Sequence, residues 1–415
     1  MRQGSADFGR LIIGAGSAGM TGDIIDTALA FVRGHLEMEV AYLSEFVGEK
    51  LVFRAVCAPG LEDMIAVGGE MPLDQVYCPH ILEGRLPELI PDTAAIPFAQ
   101  TIPLTTALPI GSHVSVPICR SDGSFYGMFC CLSRKPQASL NERDLSVMRA
   151  FAGLSADHIN MVLAVRTDEE ARRARIRNVL EEDNFEIVYQ PIFDMGSRRP
   201  NGFEALSRFK SDPYRPPNLW FDEARSVGLQ EELECATISR ALAALPELPR
   251  HVYVSVNASP NTVMTGALSD LFRTAQADRI VLEITEHAEV EDYDKLMDQL
   301  DQLRFRGARL AIDDAGAGYS GLQQIVRMKP DILKLDISLT SGIGFDVVKR
   351  SLAAALVSFA NEIGAQIVAE GIETEDEFAA LHDLGVPLGQ GYLLGRPADL
   401  LSAKSRFQLQ EVRRA

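Results

Sequence analysis

Acidic, amide and ammonium groups close a series of short apolar runs between residues 184 and 394. Gly202-Phe203-Glu204-Ala205-Leu206, Val254-Ser255-Val256-Asn257, Ile280-Val281-Leu282-Glu283 and Leu310-Ala311-Ile312-Asp313-Asp314 come first. Ile332-Leu333-Lys334, Ile367-Val368-Ala369-Glu370 and the Gly389-Gln390-Gly391 turn complete it. Buried strands that end repeatedly in such groups aim them at one face, and in a parallel α/β barrel that face carries the active site. Carboxylates meeting in one mouth repel each other unless cations stand between them. Hard oxygen donors of this kind suit Mg²⁺ or Mn²⁺. The chemistry is that of a metal-dependent enzyme of barrel type. Taken singly, each residue has a plainer role. A strand-end Asp or Glu caps a helix, Lys334 snorkels, and Arg208 pairs with a structural carboxylate. Coincidence does not account for the whole ordered set.

The elements that position these groups must be built from 415 residues, enough for two domains. A 47% hydrophobic and 24% charged composition describes a folded chain. The formal charge of −18 argues against DNA or an anionic membrane as partner, although bound metals leave room for a small anionic ligand. No apolar run approaches a bilayer span, and the N-terminus lacks a basic-then-apolar signal. The six cysteines form no C-x-x-C pair and read as reduced thiols. A cytoplasmic location is expected.

From Phe185 onward, apolar runs alternate with amphipathic segments such as 293–305 and 347–363, the order of parallel strands joined by helices. About eight such units fit the remaining 230 or so residues, which suits a TIM-type (β/α)8 barrel over 183–410. Upstream, residues 20–38 carry a helical apolar period and 40–46 with 51–56 read as a β-hairpin. A second hairpin joins 113–118 to 124–132 through Arg120-Ser121-Asp122-Gly123. This pattern predicts an antiparallel α+β domain over 20–165, after a lead-in of 1–19. Residues 141–182 read as one long helix or two broken ones, with 166–182 as a helical linker. Leu145, Met148, Ala152, Ile159 and Val162 give a near-heptad seam. The seam either packs on its own domain or pairs two copies of the chain.

The stretch from Leu104-Pro109 through Val114-Ser115-Val116-Pro117-Ile118 to Gly123-Ser124-Phe125-Tyr126-Gly127, together with the early hairpin, resembles a GAF domain. The resemblance implies a sensor module that takes an unknown small-molecule ligand. Cys78-Pro79-His80 lies where some GAF relatives attach a bilin, but the usual adjacent Cys-His pair is missing, so a buried or loop cysteine is expected. Gly14-Ala15-Gly16-Ser17-Ala18-Gly19 fits a dinucleotide fingerprint. The strand after it runs into a hairpin instead of a crossover helix, so a lead-in is preferred to a nucleotide-cofactor site.

Tyr189-Gln190-Pro191-Ile192 and Gly202-Phe203-Glu204-Ala205-Leu206-Ser207-Arg208-Phe209 resemble the signature of EAL-domain cyclic di-GMP phosphodiesterases. The similarity continues through Val256-Asn257-Ala258-Ser259, Leu282-Glu283-Ile284-Thr285-Glu286, Ile312-Asp313-Asp314 and Leu333-Lys334-Leu335-Asp336. It closes with Ala369-Glu370-Gly371-Ile372-Glu373 and Gly389-Gln390-Gly391-Tyr392. The resemblance implies hydrolysis of cyclic di-GMP to linear pGpG with two Mg²⁺ or Mn²⁺ ions, in a homodimer regulated by the GAF-like domain. Glu204, Asn257, Glu283 and Asp313 would hold one ion. Asp313, Asp314 and Glu370 would shape the second site. Paired ions stabilise the attacking and leaving oxygens of a phosphoryl displacement. Lys334 would orient the attacking water or neutralise phosphate, and Glu370 would accept the water's proton. Arg208 would clamp a phosphate as a fork, and Gln390 would position substrate or water. Glu286 fits a ligand-shell role and a loop-bracing role equally.

The segment Asp314-Ala315-Gly316-Ala317-Gly318-Tyr319-Ser320-Gly321 departs from the family pattern. Ala315 stands where an aromatic is common, Gly321 where Ser is frequent, and Ser207 replaces an aliphatic residue. The Ala315 departure bears on regulation and dimer coupling more than on chemistry. The alternative reading is a catalytically silent cyclic di-GMP receptor, which would be free to lose several of the acidic residues retained here.

Overall fold

The computed structural model describes residues 21–285, 290, 292–315 and 321–405. The glycine fingerprint at 14–19 lies outside them. The chain divides into two units between Asp168 and Glu169.

The first unit is built on a six-stranded antiparallel sheet. Its strands are β1 (Val40–Val47), β2 (Lys50–Cys57), β3 (Glu70–Pro72), β4 (Leu89–Ile90), β5 (Ser112–Cys119) and β6 (Phe125–Ser133), in the order β3-β2-β1-β6-β5-β4. Alternation along β1 and β6 sorts the side chains onto two faces. Ala41, Leu43, Phe129 and Cys131 pack with α1 (Thr21–His35) and the first half of α2 (Glu142–Glu181). Val40, Tyr42, Met128 and Cys130 face the irregular middle segment and its short helix Cys78–Leu82, where Cys78 is fully buried.

Helix α2 is continuous over 40 residues. Leu145, Met148, Ala152 and Ile159 of the near-heptad seam are buried in the core of their own unit. That seam is therefore occupied within the chain. Leu154, Met161 and Val165 remain exposed on another face of the helix. Past the unit boundary, Ile176 and Val179 are buried against Phe185, Phe209 and Trp220 of the second unit.

The second unit is a closed barrel in the order β10-β11-β12-β13-β14-β7-β8-β9. Its strands are β7 (Phe185–Asp194), β8 (Arg199–Phe209), β9 (Tyr253–Asn257), β10 (Ile280–Thr285), β11 (Arg309–Ala315), β12 (Ile332–Leu335), β13 (Gln366–Ala369) and β14 (Leu388–Gly389). Helices pack outside it, among them α3 (Pro217–Ser226), α4 (Gln230–Leu242), α5 (Pro260–Thr265), α6 (Tyr293–Phe305), α7 (Val347–Ile363) and α8 (Glu375–Asp383). The expectation of an all-parallel run of strand–helix units meets one difference. Strand β7 runs antiparallel to both β8 and β14. Only Met195–Arg198 separate it from β8, far short of the dozen or so residues a parallel crossover needs. The chain reverses there on an Asp194 side chain that accepts from the Ser197 amide at 2.7 Å.

The barrel floor is one layer of inward side chains, Ile192, Tyr253, Val281, Ala311, Ile332, Val368 and Leu388. Strand β8 contributes Gly202 to the same layer. A Cβ there would lie 2.5 Å from the Tyr253 ring, so the glycine is what lets that ring lie across the floor.

Candidate active site

Side chains of a strand return to the same face every second residue. Two residues beyond the floor toward the strand C-termini stand Glu204, Ser255, Glu283, Asp313, Lys334, Glu370 and Gln390. Strand β7, running the other way, supplies Gln190 by the same count in reverse. The pleat thus converts seven separate apolar runs into one polar ring above an apolar floor. Asn257 sits one further step up β9.

Lys334 is the centre of this ring. It is 1% exposed, and its Nζ lies 2.7 Å from Glu283, 2.7 Å from Glu370, 3.1 Å from Asp313 and 3.7 Å from Glu204. Burial opposes the Lys334 charge, but the surrounding carboxylates outweigh it and hold the ammonium well above its usual pKa. The carboxyl groups outnumber the ammonium four to one, and the excess shows in their titration. Burial pushes Glu283 up to about 8 against the pull of Lys334, with Glu204 and Asp313 adding to the rise. Glu370 is likewise pushed up to about 8 by burial, again against Lys334, and by Asp313 and Glu204.

Local backbone features aim the ligands. In a regular strand Asp313 and Asp314 would point to opposite faces. Here the β11–β12 register shifts between Ile312 and Ala315, and Asp314 takes a left-handed conformation with φ 62°. Carboxylate oxygens of Asp313, Asp314 and Glu370 consequently lie within 4.8 Å of one another. Glu370 is fixed by its amide donating to the Leu335 carbonyl at 3.0 Å and its carbonyl accepting from the Thr340 hydroxyl. Gly371 follows at φ 65°, where a Cβ would lie 2.3 Å from Ile337. Only glycine fits that turn. Gln390 donates from Nε2 to Glu204 at 2.7 Å, while its buried Oε1 has no hydrogen-bond partner. Asn257 donates from Nδ2 to Glu204 at 3.2 Å, which leaves its Oδ1 available as a ligand.

These residues fit divalent cations. The donor set is carboxylate and amide oxygen, it carries more negative charge than Lys334 balances, and burial beside like charges raises Glu283 and Glu370, a strain that a bound cation would relieve. Within the set, the oxygens of Asp313, Asp314 and Glu370 already lie close enough together for a single ion.

The ring opens into a cavity of about 330 Å³ lined by Gln190, Glu204, Leu206, Asp313, Glu370 and Gln390, with Ile337, Glu373 and Tyr392 at its edge. Arg208 shares the face of Glu204 and Leu206 but is not part of this lining. Its guanidinium donates to the neighbouring Ser207 carbonyl at 2.9 Å. Glu286 and residues 316–320 lie outside the described residues. Sequence reasoning passed over Gln190 and Ser255, although both stood in quoted motifs. The missing signal was the register: each lies two positions from a floor residue. Ser255 Oγ is buried in the ring without a hydrogen-bond partner.

Comparison with known proteins agrees with this geometry. The family model described as EAL domain matches residues 172–397, and the GAF domain model matches 21–159. The cyclic di-GMP phosphodiesterase NbdA of Pseudomonas aeruginosa is 28% identical over 341 residues, covering 79% of this chain and 42% of that protein. The probable cyclic di-GMP phosphodiesterase PdeD of Escherichia coli is 30% identical over 234 residues, covering 53% of this chain and 43% of its own length. Among solved structures, the PaMucR phosphodiesterase in complex with c-di-GMP aligns with a TM-score of 0.50 at 26% identity, over 55% of this chain and 97% of that one. The chain spans about two fifths of the length of the curated relatives it matches.

Proposed function

Because the chain belongs to the EAL domain family, we propose that it hydrolyses cyclic di-GMP to linear pGpG and that its GAF domain regulates this activity. The observation that carries the reading is the ring itself, in which Glu204, Glu283, Asp313 and Glu370 converge on Lys334 with Asn257 and Gln390 beside them.

Glu204, Asn257, Glu283 and Asp313 would hold one Mg²⁺ or Mn²⁺, and Asp313, Asp314 and Glu370 a second. Such ions supply Lewis-acid stabilisation of phosphate oxygens and a nucleophilic water at neutral pH. Burial and the neighbouring acids raise the proton affinity of Glu370, so once cation binding has stripped its own proton it would be suited to accept one as the scissile phosphate is attacked. Lys334 keeps a fixed positive charge beside Glu370 and can orient the attacking water or the phosphate. The unpartnered Gln390 Oε1 would accept a hydrogen bond from water or substrate. Arg208 would clamp a phosphate once it gives up its bond to the Ser207 carbonyl.

A homodimer belongs to the same proposal. Phe345, Val347, Val348 and Leu352 are exposed at the start of α7, close in sequence to Ile337 at the cavity edge. A second copy would cover them.

The test is incubation with cyclic di-GMP and Mn²⁺ or Mg²⁺ beside a Glu204→Ala control, with products followed by chromatography. pGpG should appear only with Glu204 present. Tight binding without turnover in either metal would move the protein to the receptor reading.

A further inference from the structure

We infer that Glu234, on the outer helix α4, is a positioning residue for cation binding by Asn257. The inference rests on the reading above, in which Asn257 is a metal ligand.

Asn257 is the ring's loosest member. It ends β9, is exposed, and its side chain is held by one 3.2 Å bond to Glu204. An amide at an exposed strand end has little packing to fix its direction, so its aim depends on the backbone that follows. That backbone is tied down twice. The Ala258 amide donates to the Glu283 carbonyl at 3.0 Å, which holds the turn to β10. The Ser259 amide and hydroxyl then both donate to Glu234 Oε2, at 2.9 and 3.0 Å.

Glu234 is only 5% exposed, and its other oxygen accepts from Gln230 Nε2 at 2.9 Å. A buried carboxyl is costly unless hydrogen-bonded, and two of its three bonds end two residues from a site ligand. Capping of α5 does not explain them. Ser259 already caps that helix through its own Oγ, which accepts from the Thr262 amide at 3.2 Å. What Glu234 fixes is the residue before the helix, and hence the exit of the chain from Asn257. Outer partners that orient metal ligands commonly change metal affinity by about 10- to 100-fold when removed.

The test uses the full chain and Mn²⁺ itself. Free Mn²⁺ is followed by electron paramagnetic resonance without substrate, and cyclic di-GMP hydrolysis is measured against Mn²⁺ concentration. Glu234→Ala should weaken Mn²⁺ binding by about 10-fold or more, with turnover largely recovered at saturating Mn²⁺. Glu234→Gln should stay close to wild type, because its amide oxygen can still accept from Ser259 while Gln230 turns to match. Ser259→Ala removes one contact and should shift binding in the same direction by less, and it decides the matter if Glu234→Ala does not fold. A Glu234→Ala chain that melts earlier but binds Mn²⁺ as wild type does would overturn the inference, as would a Glu234→Gln chain as weak as the alanine variant. Wild-type protein that binds Mn²⁺ yet leaves cyclic di-GMP intact would sink the phosphodiesterase reading alone, and the Mn²⁺ comparison would still judge Glu234.

Discussion

Lys334 does two things that pull in different directions. It neutralises part of an acidic ring, and its own charge is kept only because that ring surrounds it. Removing one partner of a buried charge network typically costs about 3–5 kcal/mol. Lys334→Met should therefore destabilise the chelator-treated protein by about that amount at pH 8, with part of the loss restored by Mn²⁺. Urea unfolding with and without the ion measures both, and an unchanged midpoint in chelator would refute the idea. The same ring sets a pH dependence. Glu283 and Glu370 hold protons up to about 8 in the folded chain, whereas ordinary glutamates release theirs near 4.5. The folded state binds more protons across that window, so stability without metal should fall as pH rises through it. Thermal melts in chelator from about pH 5.5 to 8 check the sign, and a flat or rising curve would show that the acids are not raised. Most of the ring was readable from the sequence, because each acidic group follows a β-type apolar run. Gln190 and Ser255 were not, because knowing that they face inward requires the floor residue two positions away.

At the scale of elements, the consequential departures from regularity are the bulge at Asp314, the reversal of β7 and the double role of α2. None is a matter of composition. A run such as Leu-Ala-Ile-Asp-Asp reads as a strand whether or not its last residue turns left-handed, and the register shift against β12 is a tertiary fact. The β7–β8 hairpin was concealed by a strong strand pattern on both sides of a short turn. The last turns of α2 carry charge in sequence yet bury Ile176 and Val179, while Arg175 pairs with Glu223 at 2.8 Å and Arg173 reaches the Val227 carbonyl. Those turns belong to the barrel's wall. Ile176→Ala should cost about 2–5 kcal/mol in the barrel's unfolding transition. A barrel begun at residue 183 should melt well below one begun at 169. Equal melting temperatures would show that the helix end adds nothing.

For the molecule as a whole, the division into a sensor-like sheet domain and a barrel was legible because period-two alternation gives way to alternating strand and helix signals near residue 185. The heptad-like spacing in α2 was not a safe guide, since four of its five residues turned out to serve their own domain's core. The exposed strip at the start of α7 gives the proposed homodimer a direct check. Val348→Asp should shift light-scattering mass from dimer to monomer at micromolar concentration, and a wild-type chain that is already monomeric there would count against a dimer. The acidic ring carries one last implication. With the proposed cations balancing its charge, ion supply and folding would be thermodynamically linked. A cell short of divalent ions would lose copies of this protein to its proteases before the surviving copies slowed, so scarcity would register as abundance rather than rate.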